Sequence, residues 1–574
     1  MNGFLILVIA IVLFLVAYVT YGAWLCKQWG IDPKRKTPAV EKNDGNDYVP
    51  ASPAVLLGHH FSSIAGAGPI TGPIQAAFFG WIPVLLWIVI GGIFFGGVQD
   101  FSALFASIRH DGKSIGEVIE KHIGRKSKLI FNIFVFLVLL LVVAAFGDIV
   151  AGTFASVPAT VSEEAYMVEG VLDQAAYDEA VAVADQNARS AGSVATASLL
   201  FIPLAVLFGL LQRRNNNTLV NTLVGVALLC GCIAVGINFP IMGVSKNTWM
   251  IVTLVYIFIA SVAPVWILLQ PRDYLNSFLL YGIIILAVVG IGAARPDMAI
   301  PAFNGFVVNG KPIFPVLFIT IACGAISGFH STQSPLMARC VENERLGRPI
   351  FYGAMITEGM VAMVWATVSM YFFYGEPTPG YELIAGAGNN DYHTAAPAVV
   401  TLICNHWLGI VGGILAMLGV VACPITSGDT AFRSARLIVA DFLHMDQQPI
   451  TKRLAVSLPL FACAIGILVW QMDNSDGFNV VWQYFGWANQ SLAVVTLWTV
   501  TVYLVQSGRL YLVALVPALF MTAVCSTYLF VSPTALALPP AIGNTLGLAC
   551  TLLALVWFLM WKKKYHASPT PHHD

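Results

Sequence analysis

Charged residues are scarce in this chain of 574 residues: 10% are Asp, Glu, Lys or Arg, against 58% hydrophobic residues. A soluble protein of this length would lack the polar surface with which to face water. Long polar stretches are also missing, since none exceeds roughly thirty-five residues, so no sizeable soluble domain is expected. The composition therefore excludes a soluble globular chain and predicts a single domain, residues 1–574, that lies in a lipid bilayer.

Paired cysteines and a basic patch are absent as well. The ten cysteines form no CxxC motif, and the closest pair, Cys230 and Cys232, lies within one apolar segment. A thiol in such a segment usually behaves as a small core hydrophobe, so we predict no cofactor and no metal held by cysteine. The net charge is −1, and the basic residues are spread over many loops, which argues against binding of nucleic acid.

Apolar segments long enough to cross a bilayer occur about fifteen times. This pattern predicts an all-α, polytopic bundle of transmembrane helices. The segments lie near residues 2–25, 54–80 (interrupted), 82–107, 129–156, 194–211, 218–240, 248–270, 274–294, 313–335, 350–375, 396–424, 454–472, 479–505, 510–531 and 540–561.

Positive charge is distributed unevenly between the two sides of these segments. Of 29 Lys and Arg residues, all but Arg189, Lys246, Arg295 and Lys311 fall on one side. Because cytoplasmic loops carry the excess of positive charge, the N-terminus is predicted outside and the C-terminus inside. Residues 1–26 are then an extra N-terminal helix, and the acidic insert 158–193 is an outer surface helix.

The second apolar segment carries the most unusual polar residues. It places His59, His60 and Ser62 in mid-membrane, followed by a Gly/Pro cluster. Proline lacks the N–H that a continuous helix needs, so we expect the helix to open from Ser63 to Pro73 and to expose backbone groups to a ligand. The alternative is a helix kinked for packing. The residues expected to break helices are Gly66, Gly68, Pro69, Pro73 and, in the segment 248–270, Pro264.

The segment 313–335 has a similar polar character. His330 and Ser331 follow Ser327 by three and four residues. This spacing predicts one polar helix face. Asp100, Asp148 and Glu358 are single acids near or within apolar segments, and of these we expect Asp148 to titrate. Polar residues at this depth are costly and mark candidate sites.

The histidines raise two alternatives, a metal site and a haem site. Adjacent His59 and His60 point about 100° apart on a helix, so they cannot readily share one metal ion. A haem held between one of them and His330 is not excluded by the sequence.

Motifs along most of the chain strongly resemble the carbon starvation protein A family of bacterial inner-membrane transporters. The resemblance is densest over residues 37–125 and 260–350. The motifs are Thr37–Val40, Asn43–Gly45, Asp47–Pro50, Gly58–Phe61, Ile64–Pro69, Val98–Phe101, Pro271–Leu275 and Ile321–His330.

The resemblance implies a multi-pass transporter of the bacterial inner membrane that takes up peptides or pyruvate during carbon starvation. It also implies two inverted five-helix repeats whose first and sixth helices are broken. The first core helix would be 54–80, the sixth 248–270 and the eighth 313–335, within a core of residues 53–440 that is followed by C-terminal helices, 450–565.

The leading hypothesis is a proton-coupled symporter for small carboxylates such as pyruvate, or for short peptides. Histidine suits such coupling because its pKa lies near working pH. A sodium-coupled symporter is the close alternative, and a membrane enzyme, a redox subunit or a nutrient sensor are alternatives of other classes. Substrate binding is assigned to His59, His60, Ser62, Gly66, Gly68, His330 and Ser331, and ion coupling to His59, His330, Ala65, Ser327, Ser331 and Asp148.

Overall fold

The protein is a bundle of α-helices in the computed structural model, as the composition predicts. The structure describes residues 2–372, 418, 424–474 and 477–567, apart from 46, 169–170, 215–216, 299, 309, 444, 446 and 448. In these ranges, 11 helices are long and apolar enough to cross a membrane, so the chain is a multi-pass membrane protein. Most of the predicted span 396–424 lies outside the described residues.

The helices of the described ranges are numbered in chain order. Those before the second helix break are α1 Gly3–Val19, α2 Tyr21–Trp29, α3 Pro38–Glu41, α4 Pro53–Ile64, α5 Gly68–Ala76, α6 Trp81–Gly91, α7 Gly97–Arg109, α8 Ile115–His122, α9 Arg125–Phe154, α10 Gln174–Arg214, α11 Thr218–Asn238, α12 Lys246–Val262 and α13 Leu269–Ala294. The later ones are α14 Ile313–Thr320, α15 His330–Ala338, α16 Gly353–Phe372, α17 over 424–442, α18 Ile450–Asp473, α19 Gly477–Gln506, α20 Leu512–Val531 and α21 Pro540–Ala567.

The first broken helix consists of α4 and α5. The helical path stops at Ala65 and resumes at Gly68, so the break covers only residues 65–67. The prediction of an open segment from Ser63 to Pro73 was therefore too wide. Pro69 lies in the first turn of α5, where its missing N–H costs nothing, and Pro73 continues that helix.

A second broken helix consists of α14 and α15. Residues 321–329 between them form turns and irregular backbone. The prediction of one continuous polar helix face over 313–335 was wrong, because Ser327 lies in the irregular stretch whereas His330 and Ser331 open α15. The glycines at 324 and 328 explain the break, since a Cβ at Gly328 would lie 2.2 Å from the carbonyl oxygen of Asn489.

Pro264 does not break a transmembrane helix. α12 ends at Val262, and Pro264 lies in the turn that leads to α13. The predicted helix break at Pro264 was wrong for this reason: the last residues of 248–270 belong to the connection between two helices and to α13, and the place of 248–270 as the sixth core helix stays a prediction.

The insert 158–193 is helical only in its second half. A short 3-10 turn over Glu163–Tyr166 leads to an antiparallel hairpin of β1 Met167–Val168 and β2 Val171–Leu172. Helix α10 then begins at Gln174 and continues into the bundle. A second small hairpin, β3 Val307–Val308 with β4 Lys311–Pro312, precedes the second broken helix.

Close packing holds the two broken helices at the centre of the bundle. α4 packs on α13, α5 packs on α16, and α15 packs on α7. Two π-helical segments, Gly92–Gly96 and Arg348–Tyr352, lie where the helices beside the breaks meet, and a Cβ at Gly97 would lie 2.6 Å from the ring of Tyr352. The polar residues of both breaks are thereby buried side by side.

Candidate functional site

A carboxylate on α13 holds the first break. His59 Nδ1 lies 2.6 Å from Asp273 Oδ2, and the hydroxyl of Ser63 donates to the same oxygen at 3.1 Å. The hydroxyl of Ser62 donates to the backbone carbonyl of Asp273 at 2.8 Å. All four residues are fully buried or nearly so. A single side chain therefore fixes the last turn of α4 in front of the break.

Asp273 is itself part of a buried ion network. Arg272 Nε donates to Asp273 Oδ1 at 2.9 Å, and the guanidinium also contacts Asp429 on α17, with Nη2 3.1 Å from Oδ1. The hydroxyl of Tyr256 accepts a further bond from Arg272. The charge of Asp273 is thus shared between an arginine and a histidine, and a proton on His59 would change that balance.

The backbone carbonyl oxygens just before the first break accept hydrogen bonds from side chains of α17. Thr426 Oγ1 donates to the carbonyl of Ser62 at 2.6 Å, and Ser427 Oγ donates to the carbonyl of Ser63 at 2.7 Å. These four oxygens lie together beside Ala65. The broken backbone is stabilised here by hydroxyl groups rather than by lipid or water.

His330 lies between two buried acids at the second break. Its Nδ1 is 2.7 Å from Asp100 Oδ2 on α7, and its Nε2 is 3.3 Å from Glu358 Oε2 on α16 without hydrogen-bond geometry. All three side chains have no solvent exposure. The three titratable side chains therefore form one buried, contiguous group.

His60 differs from its two neighbours. Its ring stacks on Phe351 with the centroids 3.8 Å apart, and neither ring nitrogen has a hydrogen-bond partner among the described residues. It is fully buried. The structure therefore places His60 beside the other two histidines but without a partner that would hold its proton.

The irregular stretch before His330 is held by a third helix. Asn489 Oδ1 on α19 accepts hydrogen bonds from Ser327 Oγ at 3.2 Å and from the backbone N–H of Phe329 at 2.8 Å. Ser331 Oγ donates to the carbonyl of Gly328 at 2.7 Å. The hydroxyls of Ser327 and Ser331 are therefore occupied by bonds within the protein.

The two breaks touch each other at small residues. A Cβ at Gly68 would lie 2.4 Å from Cys323 Sγ, and a Cβ at Gly66 would lie 2.8 Å from the ring of Phe146. Only glycine permits this approach without displacement of a neighbour. Both halves of the predicted site are brought together, although their residues are far apart in the sequence.

A cavity of about 370 Å³ opens onto this contact from the side of the predicted outer loops. Gly68 and Cys323 form part of its wall next to the breaks, and Lys311 lies near the loops. The cavity wall also includes aromatic and polar side chains: Gln75, Phe78, Trp482, Gln483, Phe485 and Tyr528.

Asp148 lies apart from this cluster. Its Oδ2 accepts a hydrogen bond from Lys246 Nζ at 2.8 Å, and the lysine is half exposed at the start of α12. The residues that the sequence reasoning did not assign are Asp100, Asp273, Glu358, Asp429 and Asn489. Acids inside apolar segments were the available signal for the first four. In the described ranges, no group of three or more His, Cys, Asp or Glu residues is arranged to hold a metal ion.

Comparison with solved structures gives only weak likenesses. The structure of MhsT in complex with L-phenylalanine aligns over 88% of this chain and 98% of its own, at 10% identity and a TM-score of 0.46. A manganese transporter of Eremococcus coleocola aligns over 90% and 97%, at 11% identity and a TM-score of 0.44.

Comparison of sequences is more decisive. The family described as carbon starvation protein CstA matches residues 2–377 and 394–528. The peptide transporter CstA of Escherichia coli K12 is 32% identical over 91% of this chain and 80% of its own length. The pyruvate/proton symporter BtsT of the same organism is 34% identical over 65% of this chain and 51% of its own. The chain belongs to the carbon starvation protein CstA family, whose named relatives are transporters and not enzymes.

Proposed function

We propose that this protein is a proton-coupled symporter that takes up a small carboxylate such as pyruvate, or a short peptide, across the bacterial inner membrane. The observation that carries the proposal is His330 between Asp100 and Glu358, buried at the second helix break. A group of this kind binds and releases a proton without any metal or cofactor, and His330 follows the irregular stretch 321–329 that contains Cys323, a residue of the cavity wall.

The outer cavity supports the substrate class. Its volume of about 370 Å³ suits a small organic molecule, at the lower end of the range for ligand sites. Lys311 contributes positive charge near the outer loops, and the backbone N–H groups at the start of α5 point toward the break. A helix N-terminus favours a carboxylate, which pyruvate and peptides share.

The broken helices support an inverted-repeat core over residues 53–440, with residues 1–26 and 450–565 as additions outside it. α4 and α5 run in the opposite direction to α14 and α15 in the predicted topology with the N-terminus outside and the C-terminus inside. We take the second broken helix, which the sequence reasoning made the eighth core helix, as the inverted counterpart of the first.

Sodium coupling is the second candidate, and the oxygens beside Ala65 favour it. The carbonyls of Ser62 and Ser63 with the hydroxyls of Thr426 and Ser427 form an oxygen-rich position that needs no carboxylate. In this conformation the hydroxyls donate to the carbonyls directly. A sodium ion would have to turn those hydroxyls away, whereas His330 is already placed beside its acids.

The experiment is uptake of labelled pyruvate and labelled di- and tripeptides into proteoliposomes. One sample has an inward pH gradient and no sodium, and the other has a sodium gradient at equal pH. Uptake above the gradient-free level in the first sample is expected. Uptake that follows only the sodium gradient would replace the proton proposal with the sodium one, and no uptake of any probe would contradict both.

A further inference from the structure

Four arginines are buried at the predicted cytoplasmic end of the bundle, and one of them, Arg453 on α18, donates to the backbone carbonyls of Gln447 and Val262. Arg433 and Arg436 on α17 are each 1% exposed, and Arg339, directly after α15, is 8% exposed. We refer to these three as the arginine cluster. Basic residues at this depth usually reach the lipid headgroups, but these side chains lie inside the protein.

Backbone and amide groups hold the cluster in place. Arg433 Nη1 donates to the carbonyl of Ala263 at 2.9 Å, and Arg339 Nε donates to the carbonyl of Gly112 at 3.0 Å. Arg436 Nη1 donates to the side-chain oxygen of Gln447 at 2.9 Å. These partners are neutral, so they orient the guanidinium groups without balancing their charge.

One carboxylate lies within ion-pair distance of the cluster in the described part of the chain. Asp47 Oδ1 is 2.9 Å from Arg433 Nη2. Burial raises the pKa of Asp47, but the arginines around it outweigh that effect and hold the pKa below its ordinary value. Asp441 lines a neighbouring pocket with Arg339 at longer range. Positive charge remains in excess around Asp47.

Donor groups of the cluster are also left open. The Nε atoms of Arg433 and Arg436 are fully buried and have no hydrogen-bond partner among the described residues. Arg436 has an amide acceptor but no carboxylate within ion-pair distance among the described residues, and a buried charge without a counter-charge is unfavourable, so the arrangement favours an anion.

A small cavity lies between the arginine cluster and His59. It is lined by Arg339 and Arg433 on one side and by Asp47 and His59 on others. Its volume of about 10 Å³ holds about one water molecule. An anion could enter here only where the carboxylate of Asp47 now lies.

Asp47 lies in the connection before α4. Residues 47–52 are docked by two backbone hydrogen bonds, from Val49 to the carbonyl of Arg339 and from Ala51 to that of Cys340, both at 3.1 Å, and by the hydroxyl of Tyr48, which donates to the carbonyl of Asp111 at 2.9 Å. The side chain of Asp47 is 21% exposed, whereas Arg433 beneath it is 1% exposed. The aspartate therefore covers the cluster from the cytoplasmic side.

We propose that the arginine cluster is a cytoplasmic binding site for a small oxyanion, and that Asp47 occupies it as a built-in carboxylate when no anion is bound. Guanidinium groups match the paired oxygens of carboxylate and phosphate. The ligand is either a carboxylate released from the transport site past His59 or a free cytoplasmic phosphate. The proposal concerns binding and stands apart from the coupling ion and from the outcome of any uptake assay.

The test is isothermal titration of the purified full chain in detergent with inorganic phosphate, against sodium chloride at equal ionic strength. Asp47→Asn removes the competing carboxylate and is expected to tighten phosphate binding by about tenfold. Arg436→Gln is expected to weaken it by about tenfold or more. Lys452→Gln is the matched control, because Lys452 is exposed next to the site and should bind phosphate like the unmodified protein.

Phosphate binding no stronger than the chloride effect in both the unmodified chain and Asp47→Asn would overturn the proposal. Equal phosphate affinity in Asp47→Asn and the unmodified chain would also overturn the proposal. If Arg436→Gln does not fold, this comparison alone is the test. Pyruvate titrated against phosphate in Asp47→Asn then distinguishes the sources. Competition identifies a transported carboxylate, and binding of phosphate alone identifies a cytoplasmic anion.

Discussion

At the scale of single residues, three buried histidines lie together but have different partners. His59 pairs with Asp273, which is 214 residues away in the sequence, and His330 pairs with Asp100, which is 230 residues away. His60 has only the ring of Phe351. The histidines were recognisable from the sequence because they interrupt apolar segments. Their acids were not assignable, since pairing over such separations depends on the packing of distant helices.

A substitution at Glu358 tests the role proposed for the buried group of His330, Asp100 and Glu358. Glu358→Gln keeps the size of the side chain but removes its titration, so proton-driven uptake is expected to fall by about tenfold or more and to lose its dependence on pH. The measurement is initial uptake between pH 5 and 8 in proteoliposomes. Glu342→Gln is the control, because Glu342 is an exposed acid between α15 and α16, and it should keep the original profile. A normal profile in Glu358→Gln would remove this acid from the coupling group.

Gly68 tests the contact between the two breaks. Gly68→Ala places a Cβ 2.4 Å from Cys323 Sγ and is expected to reduce uptake by about tenfold, because the breaks can no longer approach. Gly282→Ala in α13 meets no atom within 4 Å and should be neutral. A second change, Cys323→Gly, removes the obstructing side chain and is expected to restore uptake. Full activity of Gly68→Ala alone would show that the contact is not tight during transport.

At the scale of helices, the sequence predicted the first break well and misplaced the second. Prolines and glycines after Ser63 indicated α4 and α5, although the prolines continue α5 and the break is shorter. The second break was read as a helix face because Ser327, His330 and Ser331 fit helical spacing. Their spacing is compatible with a helix and with irregular backbone. The irregular backbone is stabilised by Asn489, which accepts a hydrogen bond from Phe329 and belongs to a helix distant in sequence.

The contact of α7, α8 and α19 on the cytoplasmic side predicts a pH effect on stability. His110 Nε2 lies 2.8 Å from His122 Nε2. Burial lowers the pKa of His110 to about 4, against the opposing effect of its bond to the carbonyl of Ala106, and burial also lowers the pKa of His122. The unfolded chain therefore takes up protons below the ordinary value of 6.5 while the folded chain does not.

Stability at this contact is expected to fall as the pH drops from 6.5 toward 4, because the unfolded chain takes up a proton at His110 over that range and the folded chain does not; for His110 alone the loss approaches about 1.4 kcal/mol per pH unit. His110→Gln should flatten that decline, measured as the melting temperature of the purified protein at pH 7 and pH 5. Lys126→Gln, exposed on α9, is the control and should melt like the unmodified chain. An equal decline in His110→Gln would show that other groups cause it.

At the scale of the whole molecule, composition alone established a multi-pass helical membrane protein. The described ranges contain 11 spans by length and composition, against about fifteen predicted, because the two broken helices and α12 are too short to be counted and most of the predicted span 396–424 lies outside the described residues. The orientation of the bundle stays a prediction from the distribution of Lys and Arg. It also implies that the large cavity faces outward, which the position of Cys323 can test.

Cys323 lies in the wall of that cavity. A small membrane-impermeant thiol reagent added from outside to right-side-out vesicles is expected to label Cys323, and substrate is expected to slow the labelling. Mass spectrometry of the modified peptide gives the measurement, and Cys323→Ser supplies the background. Labelling only from the cytoplasmic side would reverse the predicted orientation, whereas labelling that substrate leaves unchanged would separate the cavity from the transport path.

The central claim is that protons enter with the substrate through the group around His330. The most direct measurement is acidification inside proteoliposomes that contain a pH-sensitive dye, after addition of substrate without sodium. The unmodified chain is predicted to acidify the interior, while His330→Gln is predicted to exchange labelled for unlabelled substrate without acidification. Equal acidification by His330→Gln, or substrate entry into the unmodified vesicles with no acidification at all, would contradict the account.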